Sequence, residues 1–153
     1  MKYYEDMVVG TKSSFGSYEV TREEVIDFAS KYDPQPFHLS DEAAAETHFK
    51  RLAASGWHTA AMMMAMNVEH FMGEKSASLG SPGLDELRWM KPVFPGDTLR
   101  CEGEITEKRR LKSRPDMGLT KNKTTVFNQN DEIVMIVVAN GLIALRDPSA
   151  PID

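Results

Sequence analysis

The sequence predicts one α+β domain, spanning 1–153 with a core over about 7–146, in which an antiparallel sheet wraps a long buried central helix. Three observations predict it. Helical spacings and cap residues occupy the first half of the chain. Four segments with patches of period-2 patterning fill the second half. Between them, Trp57 to Met66 is apolar on nearly every side. A helix apolar all round is normally buried all round. Helices followed by antiparallel strands pack as layers, so the sheet has to enclose that helix.

Each element has a local reason. Ser13 to Tyr18 reads as a short extended piece. Thr21 reads as a helix N-cap with Glu24 three residues on, the two ends of a capping box. Val25, Ile26, Phe28 and Ala29 then supply an apolar face to about Lys31. Pro34 disfavours helical geometry at Asp33, so the helix stops there. Ser40 is a second N-cap, with Asp41 and Glu42 in the first turn, where the helix dipole favours acids. The long helix should run from Trp57 to about Met72, with Ser55 as its N-cap. Its methionines read as core filler rather than a soft-metal site. Gly83–Met90, Asp97–Lys108, Leu119–Gln129 and Glu132–Arg146 read as strands. Pro95-Gly96-Asp97 and Asn128-Gln129-Asn130-Asp131 read as the turns between them. Ile133 to Val138 lacks polar alternation, which places that strand inside the sheet.

Composition narrows the function. The chain has 153 residues, 41% hydrophobic and 27% charged, with a net charge of −5. That is an ordinary globular composition, and its acidity argues against general nucleic-acid binding. The densest basic stretch is Lys108, Arg109, Arg110, Lys112 and Arg114. It reads as the solvated end of a hairpin, with a phosphorylated ligand as the alternative. The single cysteine, Cys101, excludes an internal disulfide and zinc-type spacing, and reads as a small core residue. The N-terminus lacks a signal-peptide apolar region, and no apolar run reaches membrane-spanning length. The expectation is a cytoplasmic protein with no membrane association.

The chemistry is expected in Tyr32-Asp33-Pro34-Gln35-Pro36-Phe37-His38. Two prolines stiffen the segment and push their preceding residues toward extended geometry. A carboxylate and an imidazole on such a strap can converge on one water molecule, as acid–base catalysis requires. The plain alternative is that Asp-Pro starts a turn and His38 is a surface residue. Among the other histidines, His58 is read as hydrogen-bonded and buried, with a pocket role as the alternative. His48 and His70 are read as surface residues.

Three blocks of this sequence resemble the MaoC-like dehydratases, close relatives of the (R)-specific enoyl-CoA hydratases, which have a hotdog fold. Asp33-Pro34-Gln35-Pro36-Phe37-His38 is similar to that family's Asp-x-Asn-Pro-aliphatic-His signature. Ala54-Ser55-Gly56-Trp57-His58-Thr59 opens the buried helix where the family has a glycine. Leu87 to Thr98 is similar to the family's F-x-x-P-V-x-x-G-D strand–turn–strand. The blocks keep the family's order over roughly residues 7 to 146. Gln35 replaces the family's Asn, Phe37 its aliphatic residue, and Lys31-Tyr32 its small residue plus Gly.

The resemblance implies reversible hydration of a 2-enoyl-CoA to a (R)-3-hydroxyacyl-CoA, by syn addition of water. Asp33 is then expected as the base and His38 as the proton carrier. Gly56 is expected to offer an oxyanion site from backbone N–H groups at the helix start. Close helix–sheet packing is the alternative reason for that glycine. Gln35, Phe37, Ser55, Trp57 and His58 are the candidate substrate-binding residues. Trp89 and Phe94 are read as core or interface aromatics, with lining of an acyl pocket as the alternative. No metal and no cofactor beyond the coenzyme A of the substrate are expected. A homodimer or higher homo-oligomer is expected, with Arg109, Arg110, Lys112 and Arg114 near the coenzyme phosphates. A hotdog thioesterase and a non-catalytic acyl-thioester binding module are the competing readings. Such thioesterases commonly carry their carboxylate on or near the buried helix, and 57–66 contains no acid.

Overall fold

Apart from one leading strand, the chain runs helices first and strands after in the computed structural model, which describes residues 1–152. Strand β1 (Lys12–Glu19) precedes α1 (Arg22–Tyr32), the short α2 (Asp41–Ala45) and α3 (Gly56–Glu74). Strands β2 (Ser78–Trp89), β3 (Thr98–Arg110), β4 (Met117–Phe127) and β5 (Ile133–Ala144) follow. All pair antiparallel in one sheet of order β1-β3-β4-β5-β2. The unalternated strand β5 is interior, between β4 and β2, as its pattern predicts. No described helix is long and apolar enough to cross a membrane.

Two of the three expected N-caps form, at Ser40 and Thr21, and Ser55 makes none. Ser40 Oγ accepts the Ala43 N–H at 3.2 Å, and Thr21 Oγ1 accepts the Glu24 N–H at 3.3 Å. The return half of the Thr21 box is missing. The Glu24 carboxylate instead accepts the Tyr18 hydroxyl and faces His58 Nε2 at 3.1 Å. Helix α1 ends at Asp33, whose N–H bonds to Ala29 O at 2.9 Å. Pro34, lacking an N–H, cannot extend that ladder.

Helix α3 lies against the sheet with Met62, Met63 and Met66 down. They pack into a core with Leu99, Cys101, Val126, Val134, Met135 and Val137. Cys101 is fully buried, and burial pushes its thiol up to about 12, so it is core and not a thiolate. Strand β1 bends over α3 through a bulge between Phe15 and Tyr18. Gly16 makes this possible, with φ of 86° and a position where a Cβ would fall 2.5 Å from Met66 Sδ.

One expectation is corrected here. Helix α3 is central, but within a single chain it is not buried all round. Trp57, Ala61, Met64, Ala65, Val68 and Met72 form an exposed stripe at helical spacing. The chain's own sheet covers only the opposite face. Leu79, Leu84 and Trp89 on the outermost strand β2 are exposed as well. Two smaller readings also change. His70 is half-buried, stacked on Phe15 with ring centroids 4.3 Å apart, rather than a free surface residue. The basic stretch does sit at the β3–β4 hairpin end, but much of it is engaged. Arg110 donates to the carbonyls of Pro115, Pro148, Ala150 and Pro151, and Arg114 pairs with Asp116 at 3.0 Å.

At its N-terminus α3 meets the end of β2. A Cβ on Gly56 would fall 2.5 Å from the Trp89 indole, whose Nε1–H donates to Gly56 O at 2.9 Å. Close helix–sheet packing is therefore sufficient reason for a glycine here. Gly56→Ala should lower the unfolding free energy by about 1–3 kcal/mol, the usual cost of overpacking. Urea unfolding checks this, and adding Trp89→Leu should recover part of the loss.

Candidate active site

The proline strap leaves α1 at Asp33 and makes a single 3-10 turn over Pro36–His38. Pro36 sits at the start of that turn, where its fixed φ suits helical geometry. The turn lifts His38 back over the end of α1 and buries it, 5% exposed. His38 Nδ1 lies 2.6 Å from Ala53 O, and the Ala53 N–H returns to Phe37 O at 3.3 Å. A carbonyl only accepts, so Nδ1 carries the proton and donates to it. In the neutral ring this leaves Nε2 with a free lone pair, directed at Asp33.

Asp33 Oδ2 lies 3.5 Å from His38 Nε2. The same oxygen accepts the Ser55 hydroxyl at 2.7 Å, and Oδ1 accepts the Gln35 amide at 2.7 Å. Burial works against ionisation of this carboxyl. Hydrogen bonds from Ser55 and Gln35, with the His38 charge behind them, outweigh it and hold the acid below its ordinary value. A carboxylate and an imidazole lone pair both seek donors. One water can give a hydrogen to each, which is the arrangement that hydration of a double bond needs.

The structure brings together Asp33, His38, Gln35 and Ser55, and it shows what Gln35 does. The longer amide arm reaches back to its own strap and orients the carboxylate. Phe37 packs edge-on to His38, ring centroids 4.6 Å apart, and against Phe49 at 5.2 Å. Gly56 follows Ser55 directly, so the first turn of α3 is tied to Asp33 through the Ser55 side chain. The intrahelical bonds begin with the His58 and Thr59 N–H groups on Ser55 O. The Gly56 and Trp57 N–H groups of that turn therefore have no intrahelical acceptor.

Two candidates lie apart. The Trp57 side chain is 57% exposed and packs perpendicular to Trp89, on the open stripe of α3. His58 is buried against Phe28 and Glu24, in a cavity of about 190 Å³ between α1 and α3. Tyr18, Tyr32 and Met62 also line that cavity; Asp33 and His38 do not. His58 thus behaves as the buried, hydrogen-bonded histidine that its position suggests.

Two features escape a reading by position. Ser55 occupies the N-cap site of α3 but makes no side-chain cap bond, because its hydroxyl goes to Asp33. Glu24 and Tyr18 form a polar group with His58, where Tyr18, donating to Glu24, is pushed up to about 12. Their partners lie far along the chain, so no local motif announces either arrangement.

The chain matches the family model described as "MaoC like domain" over residues 6–127. A MaoC-like dehydratase from Rhodospirillum rubrum superposes with a TM-score of 0.86 at 34% identity, covering 96% of this chain and 99% of that one. The (R)-hydratase PhaJ1 from Pseudomonas aeruginosa gives 0.71 at 26% identity, over 95% and 86%. A 3-hydroxybutyryl-CoA dehydratase from Methylorubrum extorquens is 30% identical over 107 residues, 69% of this chain and 64% of that protein. The fold is the hotdog fold of these proteins.

The lowered carboxyl of Asp33 has a thermodynamic consequence. A folded value below the unfolded one adds stability above the ordinary value, and this is lost as pH falls through the folded value. The stability advantage of the wild type over Asp33→Asn should therefore be full near pH 6 and shrink from about pH 4 downward. Urea midpoints across that range check it. A constant difference would mean that Asp33 titrates like a free aspartate.

Proposed function

Because the chain belongs to the MaoC-like domain family, we propose that it reversibly hydrates a 2-enoyl-CoA to the (R)-3-hydroxyacyl-CoA. One observation carries the reading: Asp33 and His38 converge to 3.5 Å beside the start of α3. The relatives named as a hydratase and a dehydratase supply the reaction class.

In the hydration direction a water sits between Oδ2 of Asp33 and Nε2 of His38 and donates to both. Its oxygen attacks the β-carbon. As the C–O bond forms, the water becomes strongly acidic, so even a carboxylate of lowered basicity accepts its proton. That proton passes to His38 Nε2, whose imidazolium is steadied by the Asp33 charge. His38 then delivers it to the α-carbon. One O–H bond of the water and the C=C π bond break, one C–O and one C–H bond form, and the enzyme returns to its starting state. A single source on one face gives syn addition. The Gly56 N–H, at the positive end of the α3 dipole, takes the negative charge that grows on the thioester oxygen. Dehydration runs the same steps backward.

The active unit is proposed to be a cytoplasmic homodimer or a higher assembly of the same chain. Strand β2 leaves one edge unpaired, and among the described residues the stripe Trp57–Met72 of α3 stays largely exposed. A second copy pairing along β2 would continue the sheet and cover the stripe, as an exposed apolar edge invites.

Two experiments test this. Crotonyl-CoA mixed with the wild type should lose its enoyl absorbance. Asp33→Asn and His38→Ala should each lower kcat by about 10²–10⁴, the usual scale of acid–base catalysis, with unchanged circular dichroism. Wild-type turnover in both variants would remove the pair from the mechanism. Separately, Met64→Glu with Val68→Glu should convert a dimeric wild type to monomers in sedimentation velocity. A wild type that already sediments as a monomer would refute the assembly.

A further inference from the structure

We propose that Ser55 is a positioning residue, its hydroxyl aiming Oδ2 of Asp33 at His38 and joining the acid–base pair to the first turn of α3. This rests on the hydratase reading above and deepens it.

Three observations carry the inference. The first is what Ser55 forgoes. It stands at the N-cap of α3, where a serine normally satisfies an N–H of the first turn and its loss costs helix stability. Ser40 and Thr21 do cap their helices. Ser55 alone of the three turns its hydroxyl away, donating to Asp33 at 2.7 Å. The second is enclosure. Ser55 is 0% exposed, so solvent cannot substitute for the bond. The backbone on either side is pinned as well: the Ala54 N–H donates to Val93 O at 2.8 Å, and Ser55 O accepts from His58 and Thr59. The hydroxyl therefore projects from a fixed base. The third is the division of donors. Gln35 holds Oδ1 from the exposed side, on the same strap as Asp33. Among the described residues, Ser55 alone donates a hydrogen bond to the carboxylate from a separate element, and it binds the oxygen that faces His38.

The consequence is geometric. The carboxylate can rotate about its last bond, and the strap can rock as a unit. Gln35 rocks with it, but Ser55 does not. With Ser55 in place, Oδ2 of Asp33 and the N–H of the adjoining Gly56 keep one spacing, which the proposed substrate has to bridge between its β-carbon and its thioester oxygen. The ionisable group that faces Asp33 is His38, 3.5 Å away on the same strap.

The test compares Ser55→Ala with Ser55→Thr, which keeps the hydroxyl. In Ser55→Ala, kcat for enoyl-CoA hydration should fall about tenfold to a hundredfold, the scale of a lost hydrogen bond to a charged group. KM should stay within about twofold of wild type, because uniform binding is untouched. The acidic limb of the kcat profile should move to higher pH, and Ser55→Thr should restore both. The Asp33 carboxyl titration, followed by carbon-13 NMR, should move upward in Ser55→Ala. Urea unfolding confirms that the variants are folded. A titration that stays put, or a kcat within about twofold of wild type, overturns the proposal. If the wild type turns over no enoyl thioester, the hydratase reading fails instead. The titration then still decides whether Ser55 governs Asp33.

Discussion

The carboxylate of Asp33 is where three separate pieces of chain meet. It ends α1, it begins the proline strap, and through Ser55 it grips the start of α3. His38 faces it from the far end of the strap and is anchored in turn to Ala53 O, two residues before Ser55. The loop is thus closed on itself: strap to carbonyl, carbonyl to serine, serine to carboxylate. Each bond fixes a different freedom. The prolines fix the backbone path, Ala53 fixes the imidazole tautomer, and Ser55 with Gln35 fixes the carboxylate plane. A site assembled this way needs little from the sheet except a firm bed for α3.

The sheet supplies that bed on one side only. Met62, Met63 and Met66 fill the space over β3, β4 and β5, and Gly16 lets β1 close over Met66. The unbranched methionines suit a helix crossing a twisted sheet, since they fill uneven gaps without strain. A second polar group ties the layers together. Glu24 of α1, Tyr18 of β1 and His58 of α3 share one cluster. It ties the first turn of α1 to α3, while Asp33 and Ser55 tie its last turn there, so the helix from which the strap springs is held at both ends.

Much of this was legible in the sequence. Pro34 and Pro36 betrayed the strap, and the residues around them named the pair that converges there. Period and turn chemistry placed β3, β4 and β5 within two residues of their ends. What stayed hidden has physical reasons. Strand β2 begins at Ser78 rather than Gly83, because Leu79-Gly80-Ser81-Pro82 reads as loop by composition. It still pairs with β5 through an irregular register. Ser55 and Glu24 carry ordinary cap signatures, yet both side chains choose partners 22 and 34 positions away. Local spacing cannot foresee a competitor that folding alone delivers. The open stripe of α3 is hidden for another reason. Hydrophobic pattern reports that a face prefers cover, and says nothing of which molecule provides it.

The contact between Gly56 and the Trp89 ring has a last implication. Both tryptophans of the chain, Trp57 and Trp89, stand at the tip of α3, perpendicular to one another. One of them also hydrogen-bonds the very glycine that presents its amide. Tryptophan emission of this protein, excited selectively over its four tyrosines, therefore comes from a single locality. Occupancy of that helix tip, by a thioester or by a neighbouring copy, is written directly into the emission of the native molecule, and no label has to be introduced to follow it.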